Sequence, residues 1–388
     1  TGISVAGQAE LWQLLFADDV NLIAKGKEGM STMVVVVFIY VILGTPFTWP
    51  KATGGFKYGW VGLEINLAEH RLGISASRST WLIGWIDDVV GRGTVRVKDL
   101  RAVLGRLSFA AGPLERIKPF LACAYAWVAV VPDLAFLAPP PAVLLTLAWV
   151  AKRLRSGGRL AECRPISNDV GEIFRTDAKA EGNDVVVGGW ECRGGTEPAQ
   201  ARWFSTRLTE SNCAWLHCRG EPFRVIAALE LYATLFGVMA FMPTDGTVEG
   251  RGTISGTATT DNRGNSYAIA SLMSTKFPLN VLLMELSEQL DLRKSWLGVQ
   301  WAPRDQNVHA DALTNEDFHD FDMAKRVTME PGAIEWKVLD AMVEVGGGMV
   351  EELRTLKEKR KLDKKNAKEA KKRRKTAKAE ALRVRDPW

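Results

Sequence analysis

Between Ile173 and Leu313 the chain alternates strand-like and helix-like segments, and each brings one carboxylate to the same short list. Ile173-Phe-Arg-Thr-Asp177-Ala-Lys-Ala-Glu-Gly182, followed by Val185-Val-Val-Gly-Gly-Trp190, reads as a strand, a glycine-permitted turn and a returning strand. Ile226 to Phe236 reads as a strongly apolar helix whose one acid is Glu230. The small-residue, β-prone run 256–260 ends at Asp261-Asn262 and leads into a helix-like segment, 266–273. Val299-Gln-Trp-Ala-Pro-Arg304 is a short strand that leads to Asn307-Val-His-Ala-Asp311-Ala-Leu. The acids therefore fall in the order strand, helix, strand end, helix start over about 135 residues. The implied fold is a mixed sheet flanked by helices. Four carboxylates converging on one point would hold two Mg²⁺ ions, one activating a water and the other stabilising the leaving oxygen of a phosphodiester.

A second acidic feature lies near the start, in Leu14-Leu-Phe-Ala-Asp18-Asp19-Val-Asn-Leu-Ile-Ala24. Two like charges buried at a strand-turn-strand corner would need a cation, and Mg²⁺ suits hard oxygen ligands. Asp87-Asp88 is the contrast, because it sits in a helical pattern with Leu82, Ile86 and Val89 on one side, where acids simply face water.

At 388 residues, 47% hydrophobic and 24% charged, the chain is long enough for two or three domains with cores. Five scattered cysteines, Cys123, Cys163, Cys192, Cys213 and Cys218, point to reduced thiols inside a cell. Cys213 and Cys218 with His217 lack a fourth zinc ligand at familiar spacing and read as free thiols. The most apolar run, 34–43, is shorter than the ~20 residues a membrane helix needs and is expected in the core, with no membrane partner. The chain opens on Thr1 in mid-pattern, so further sequence upstream is expected.

Charge is unevenly held. Residues 351–388 carry 16 Lys+Arg against 7 Asp+Glu, a local +9, which leaves the first 350 residues at −4. The tail has helix formers but no apolar stripe, so a solvated helix or a disordered segment is expected, with Lys371, Lys372, Arg373 and Arg374 as phosphate contacts or part of a nuclear import signal. Pro139-Pro-Pro141 and Gly157-Gly158 mark seams, and Gly346-Gly-Gly348 reads as a flexible joint.

Asp177, Glu230, Asp261-Asn262 and Asn307-x-x-Ala310-Asp311 resemble the motif series of retroelement ribonuclease H domains. Phe16-Ala-Asp18-Asp19 resembles the catalytic hairpin of reverse transcriptases, Trp49-Pro-Lys51 with Gly54-Gly55 the lysine-bearing palm loop, and Trp60-Val-Gly62-Leu-Glu-Ile the primer-grip hairpin. The resemblance spans about residues 10–315. It implies a multidomain α/β and α+β chain: a partial polymerase palm (1–90), a mainly helical thumb or connection (91–165), a ribonuclease H-like domain (166–320), a linker (321–350) and the basic tail (351–388). The implied enzyme is a retrotransposon-type RNA-directed DNA polymerase, incomplete here, joined to a ribonuclease H that cuts the RNA strand of RNA/DNA hybrids with two Mg²⁺ or Mn²⁺ ions.

On that resemblance Asp18, Asp19, Asp177, Glu230, Asp261 and Asp311 are the catalytic, metal-holding acids. Lys51, Trp60, Gly62, Asn262, Arg304 and Asn307 join the tail residues as contacts to hybrid or primer-template. Residues before Leu11 supply neither the further palm Asp nor the fingers of a complete polymerase, so those are expected upstream in the same polyprotein. Where many ribonucleases H place a loop histidine, this chain has Pro303-Arg304-Asp305-Gln306, and His309 is not an obvious substitute. The competing readings are a domesticated nucleic-acid-binding remnant whose acids no longer converge, and a transposase or integrase with a related acidic core.

Overall fold

Short apolar runs on both sides of Asp18-Asp19 form the hairpin that the sequence suggests. The computed structural model describes residues 2–5, 9–16, 18–163, 169–242 and 254–385. Its contacts divide it into two compact units, residues 1–80 with 157–163, and residues 81–156 with 164–388. In the first unit, β1 (Gly2–Val5), β2 (Ala9–Phe16) and β3 (Asp19–Lys25) make an antiparallel sheet in that order, with Phe16 opposite Asp19. Helix α1 (Gly26–Ile42) packs on β2 and β3. β4 (Lys57–Trp60) and β5 (Leu63–Asn66) form a tight hairpin whose corner residues, Val61 and Gly62, both take positive φ (49° and 78°). This is the backbone that a two-residue loop needs to match strand twist. β6 (Arg71–Ile74) extends that sheet.

The apolar run expected in the core is instead largely exposed. Among the described residues of α1 only Gly29 is buried, and Phe38 and Ile42 are 63% and 79% exposed. A helix apolar all round needs partners on every side, and the two strands cover one of them.

Helix α2 (Ala76–Arg92) contains Asp87 and Asp88, both exposed, as the apolar spacing suggests. The second unit then runs through the short strand β7 (Val95–Arg96), α3 (Val97–Ala110), α4 (Ala122–Val128), the short strand β8 (Phe136–Leu137) and α5 (Pro141–Arg155). In α3 the buried residues Val97, Leu100, Leu104 and Leu107 recur at helical spacing, and α5 starts on a proline and ends on Lys152, Arg153 and Arg155, the favourable ends for each. β9 (Leu160–Glu162) returns to the first unit and pairs with β6.

Five strands build the sheet that carries the acids: β10 (Asp169–Glu181), β11 (Asp184–Glu191), β12 (Trp203–Leu208), β13 (Ile254–Thr260) and β14 (Ser295–Trp301). Their spatial order is β12-β11-β10-β13-β14, antiparallel for the first three and parallel across β10, β13 and β14. Gly182, at φ 59°, turns β10 into β11. α6 (Ile226–Phe241) packs on β10 and β11, where Gly237 leaves room for the Phe174 ring. Residues 222–241 are long and apolar enough to cross a membrane, yet most of this stretch is buried inside the protein. α7 (Arg263–Ser271), α8 (Leu279–Leu292), α9 (Val308–Thr314) and α10 (Leu339–Arg385) complete the unit.

The stretch expected to be a linker is packed. Phe321 joins Trp190, Trp203 and Leu313 in one apolar cluster, the Trp336 ring stacks on Phe236, and Val338, Leu339, Met342 and Met349 are buried, as is Leu353 at the start of the tail. The glycines at 346–348 lie inside α10 and are not a joint; a Cβ at Gly346 would lie 2.5 Å from the Phe277 ring, so glycine there serves close approach.

Glu285, fully buried on α8, anchors the start of α10. Its Oε2 accepts the backbone N–H of Val338 (2.7 Å) and Leu339 (3.0 Å), and its Oε1 accepts Lys337 N–H (3.2 Å) and Gln289 Nε2 (2.7 Å). A carboxylate on these otherwise unpaired amides also complements the positive end of the helix dipole. Glu285→Ala is expected to cost about 3 kcal/mol, because hydrogen bonds to a charge are strong and the amides are left dry. Thermal unfolding reads the loss, and hydrogen exchange should locate it at residues 337–342.

Candidate metal centre

Asp177 stands in the middle of β10, the central strand, opposite Gly188 of β11. Glu230 faces it from the second turn of α6, and Asp261 follows the last residue of the neighbouring parallel strand β13. One oxygen from each of the three lies within 4.8 Å of the others. Asp177 and Glu230 are buried and Asp261 is half-buried.

Few donors compensate the three acids. Asp177 Oδ2 accepts the Thr314 hydroxyl (3.2 Å) and Glu230 Oε2 accepts the Thr260 hydroxyl (3.3 Å), while Asp261 Oδ1 is buried without a hydrogen-bond partner. Burial, then the nearby charge of Asp261, pushes the Asp177 carboxyl up to about 6. Burial, then the charges of Asp177 and Asp261, lifts Glu230 well above the usual carboxylate range. Such a group holds protons when alone and gives them up to a divalent cation, and hard carboxylate oxygens fit Mg²⁺ or Mn²⁺. The unpartnered Asp261 Oδ1 is a free ligand position in that set.

The fourth expected acid, Asp311 on α9, stands outside the close group. Its Oδ1 accepts Arg304 Nε (2.9 Å) and also Arg304 Nη2, and its Oδ2 accepts Asn315 Nδ2 (3.1 Å). Its charge nonetheless reaches Asp177 and raises that carboxyl further. Arg304, expected at nucleic acid, is thus engaged with Asp311. Asn262 caps α7, accepting Asn265 N–H on its Oδ1 (3.2 Å). Asn307 is only 2% exposed and donates through Nδ2 to Thr176 O (3.1 Å), which ties α9 to β10 and removes this residue from any nucleic-acid surface. His309 packs edge-on against Trp190 and lies 3.4 Å from Asp320.

Asp18 and Asp19 sit at the β2–β3 hairpin as expected, but exposed. Water solvates both charges, so the burial argument for a cation there fails. Among the described residues no third His, Cys, Asp or Glu joins them in a ligand-sized cluster. Lys51 is exposed in a short 3₁₀ turn, Trp60 is half-buried, and Gly62 O accepts Arg78 Nη1 (2.6 Å). Lys371, Lys372, Arg373 and Arg374 are exposed on α10. Cys213 and Cys218 are free thiols, and burial pushes Cys213 up to about 12.

No family model and no curated protein matches the chain. Among solved structures it is similar to RNase H1 from the halophilic archaeon Halobacterium salinarum NRC-1, at 18% identity over 39% of this chain and 98% of that one, with a TM-score of 0.26. It is also similar to the foamy viral protease-reverse transcriptase, in complex with double-stranded DNA (11% identity, 75% of this chain and 46% of that one, TM-score 0.33) and with an RNA/DNA hybrid (10%, 74% and 35%, TM-score 0.30). The chain spans less than half the length of those two viral chains. All three likenesses are distant.

Two features beside the acids escaped the sequence reading. Trp301, 47% exposed at the end of β14, donates its indole N–H to Asp261 O (2.9 Å), and the Arg263 guanidinium lies 6.0 Å from its ring. The strand register sets Trp301 opposite Thr260 and so next to Asp261, a pairing between distant segments that local sequence pattern does not reveal. Glu172 grips Arg175 through two hydrogen bonds of 3.0 Å, and Arg175 Nη1 donates to Gln306 O (2.6 Å).

Proposed function

We propose that residues 166–320 form a ribonuclease H that cleaves the RNA strand of RNA/DNA hybrids with Mg²⁺ or Mn²⁺. The observation that carries this reading is the approach of Asp177, Glu230 and Asp261 to within 4.8 Å from a central strand, a helix and a strand end. These three would hold the first ion and Asp311 would join them for the second; bound there, two divalent ions would supply an activated water and charge stabilisation for the leaving oxygen of the phosphodiester. The protein's own part is to desolvate the carboxylates, keep them mutually close and present an indole and a guanidinium, Trp301 and Arg263, beside them. An aromatic face with a cation above it suits a sugar or base edge of a hybrid recognised by shape and 2′-hydroxyls. The convergence of three acids speaks against a remnant whose acids have drifted apart.

The ordered hairpins and helices before residue 165 support a retroelement origin, with Asp18-Asp19 in a partial palm, Lys51, Trp60 and Gly62 near primer-template and a helical thumb over 91–165; the five free cysteines fit an intracellular site of action. The test is hybrid cleavage by the full chain. With Mg²⁺ or Mn²⁺ the RNA strand of a labelled hybrid should be cut while single-stranded RNA and the DNA strand stay intact, and a chelator should stop the reaction. An intact hybrid at excess protein with either ion would refute the assignment.

A further inference from the structure

The fourth carboxylate already has a cation. Arg304 Nε and Nη2 both donate to Asp311 Oδ1, a two-point grip on one oxygen. The loop that bears Arg304 is itself fastened. Gln306 O is held by Arg175, whose orientation Glu172 fixes, and Asn307, the next residue, is tied through its side chain to Thr176, the neighbour of Asp177. The Arg304 side chain is 74% exposed, so it can leave Asp311 without unpacking a core. On the other side of Asp177, the group of Asp177, Glu230 and Asp261 contains no basic side chain and keeps an unpartnered buried oxygen.

We infer that Arg304 is a tethered cation on the second-ion side of the centre: a first divalent ion enters at Asp177, Glu230 and Asp261, and a second gains Asp311 only by displacing the Arg304 guanidinium. This rests on the metal-centre reading above. It makes Arg304 a positioning residue that sets the gap between two ion affinities. Loss of the guanidinium frees Asp311 and removes a like charge from the path of the second cation, both of which favour that ion.

The probe is Mn²⁺ alone, titrated into the metal-free full chain, with the unbound ion counted by electron paramagnetic resonance and no substrate present. The wild type is expected to take one ion tightly and a second weakly. Arg304→Gln should tighten the second about tenfold and the first by less, since the guanidinium charge also reaches Asp177 and Asp261. Arg304→Lys, which keeps the charge and loses the two-point grip, should fall between. Asp311→Asn should abolish the second ion in either background. An identical second affinity in wild type and Arg304→Gln overturns the inference while the centre stands. If Asp261→Asn leaves the first ion's affinity intact, the centre itself is misplaced and the role of Arg304 falls with it.

Discussion

Asp261→Asn in the full chain is expected to lower hybrid cleavage at least a thousandfold, about 4 kcal/mol of lost transition-state stabilisation, with no loss of fold stability. The amide cannot replace a carboxylate as an ion ligand, yet it removes a charge that lies against two other buried carboxyl groups. Asp177→Asn should behave alike and adds a pH signature. The Asp177 carboxyl is raised from an ordinary 3.8 to about 6 in the folded chain, so folding favours its neutral form. Its contribution to stability is therefore fully present below about pH 4 and is lost as pH rises through about 6, a penalty on the order of 3 kcal/mol at neutral pH without metal. The melting-temperature difference between Asp177→Asn and wild type should grow in the mutant's favour from pH 4 to 6 and level off above. Saturating Mg²⁺ should raise the wild type and not the mutant. A difference flat across that range, or wild-type cleavage by either variant, would sink the centre.

The order of the acids was legible because each lies in a segment whose local period is unambiguous. Alternation around Asp177, an apolar helix around Glu230 and a β-prone run before Asp261 set strand, helix and strand end without tertiary information. The Asp18-Asp19 hairpin was legible for the same reason, whereas its exposure was not, since a turn flanked by apolar strands reads alike whether its tip is buried or wet. Long-range jobs were hidden. Glu285 looks like one more acid on an amphipathic helix until Val338 and Leu339, more than fifty residues later, bring their amides to it. The glycine run at 346–348 reads as a joint because local propensity favours one, and packing against Phe277 overrides that propensity. Asn262 and Asn307 have the spacing of ligand contacts, but their side chains satisfy the backbone of α7 and β10, a use that spacing cannot distinguish from binding.

Truncation after Arg360 is expected to weaken hybrid binding about a hundredfold at ~50 mM salt and to make the slope of log affinity against log salt shallower by several units. The cut belongs there and not at the glycines, because Met349 and Leu353 are buried and Arg360 still donates to Ala129 O. The removed residues, 361–388, carry 12 Lys+Arg against 4 Asp+Glu. Those from 361 to 378 are exposed along α10, a span of about 27 Å at helical rise. Like charges recur four apart at Lys361 and Lys365, Lys364 and Lys368, and Lys371 and Lys375, a spacing that destabilises the isolated helix. Phosphates running alongside would relieve that repulsion, so circular dichroism should record a gain in helix on adding hybrid to the full chain and little gain with the truncated one. Cleavage at saturating hybrid should be unchanged, since the tail contributes none of Asp177, Glu230, Asp261 or Asp311. Equal affinity of the two chains at ~50 mM salt, where electrostatic binding is strongest, would leave the tail without a role at the hybrid.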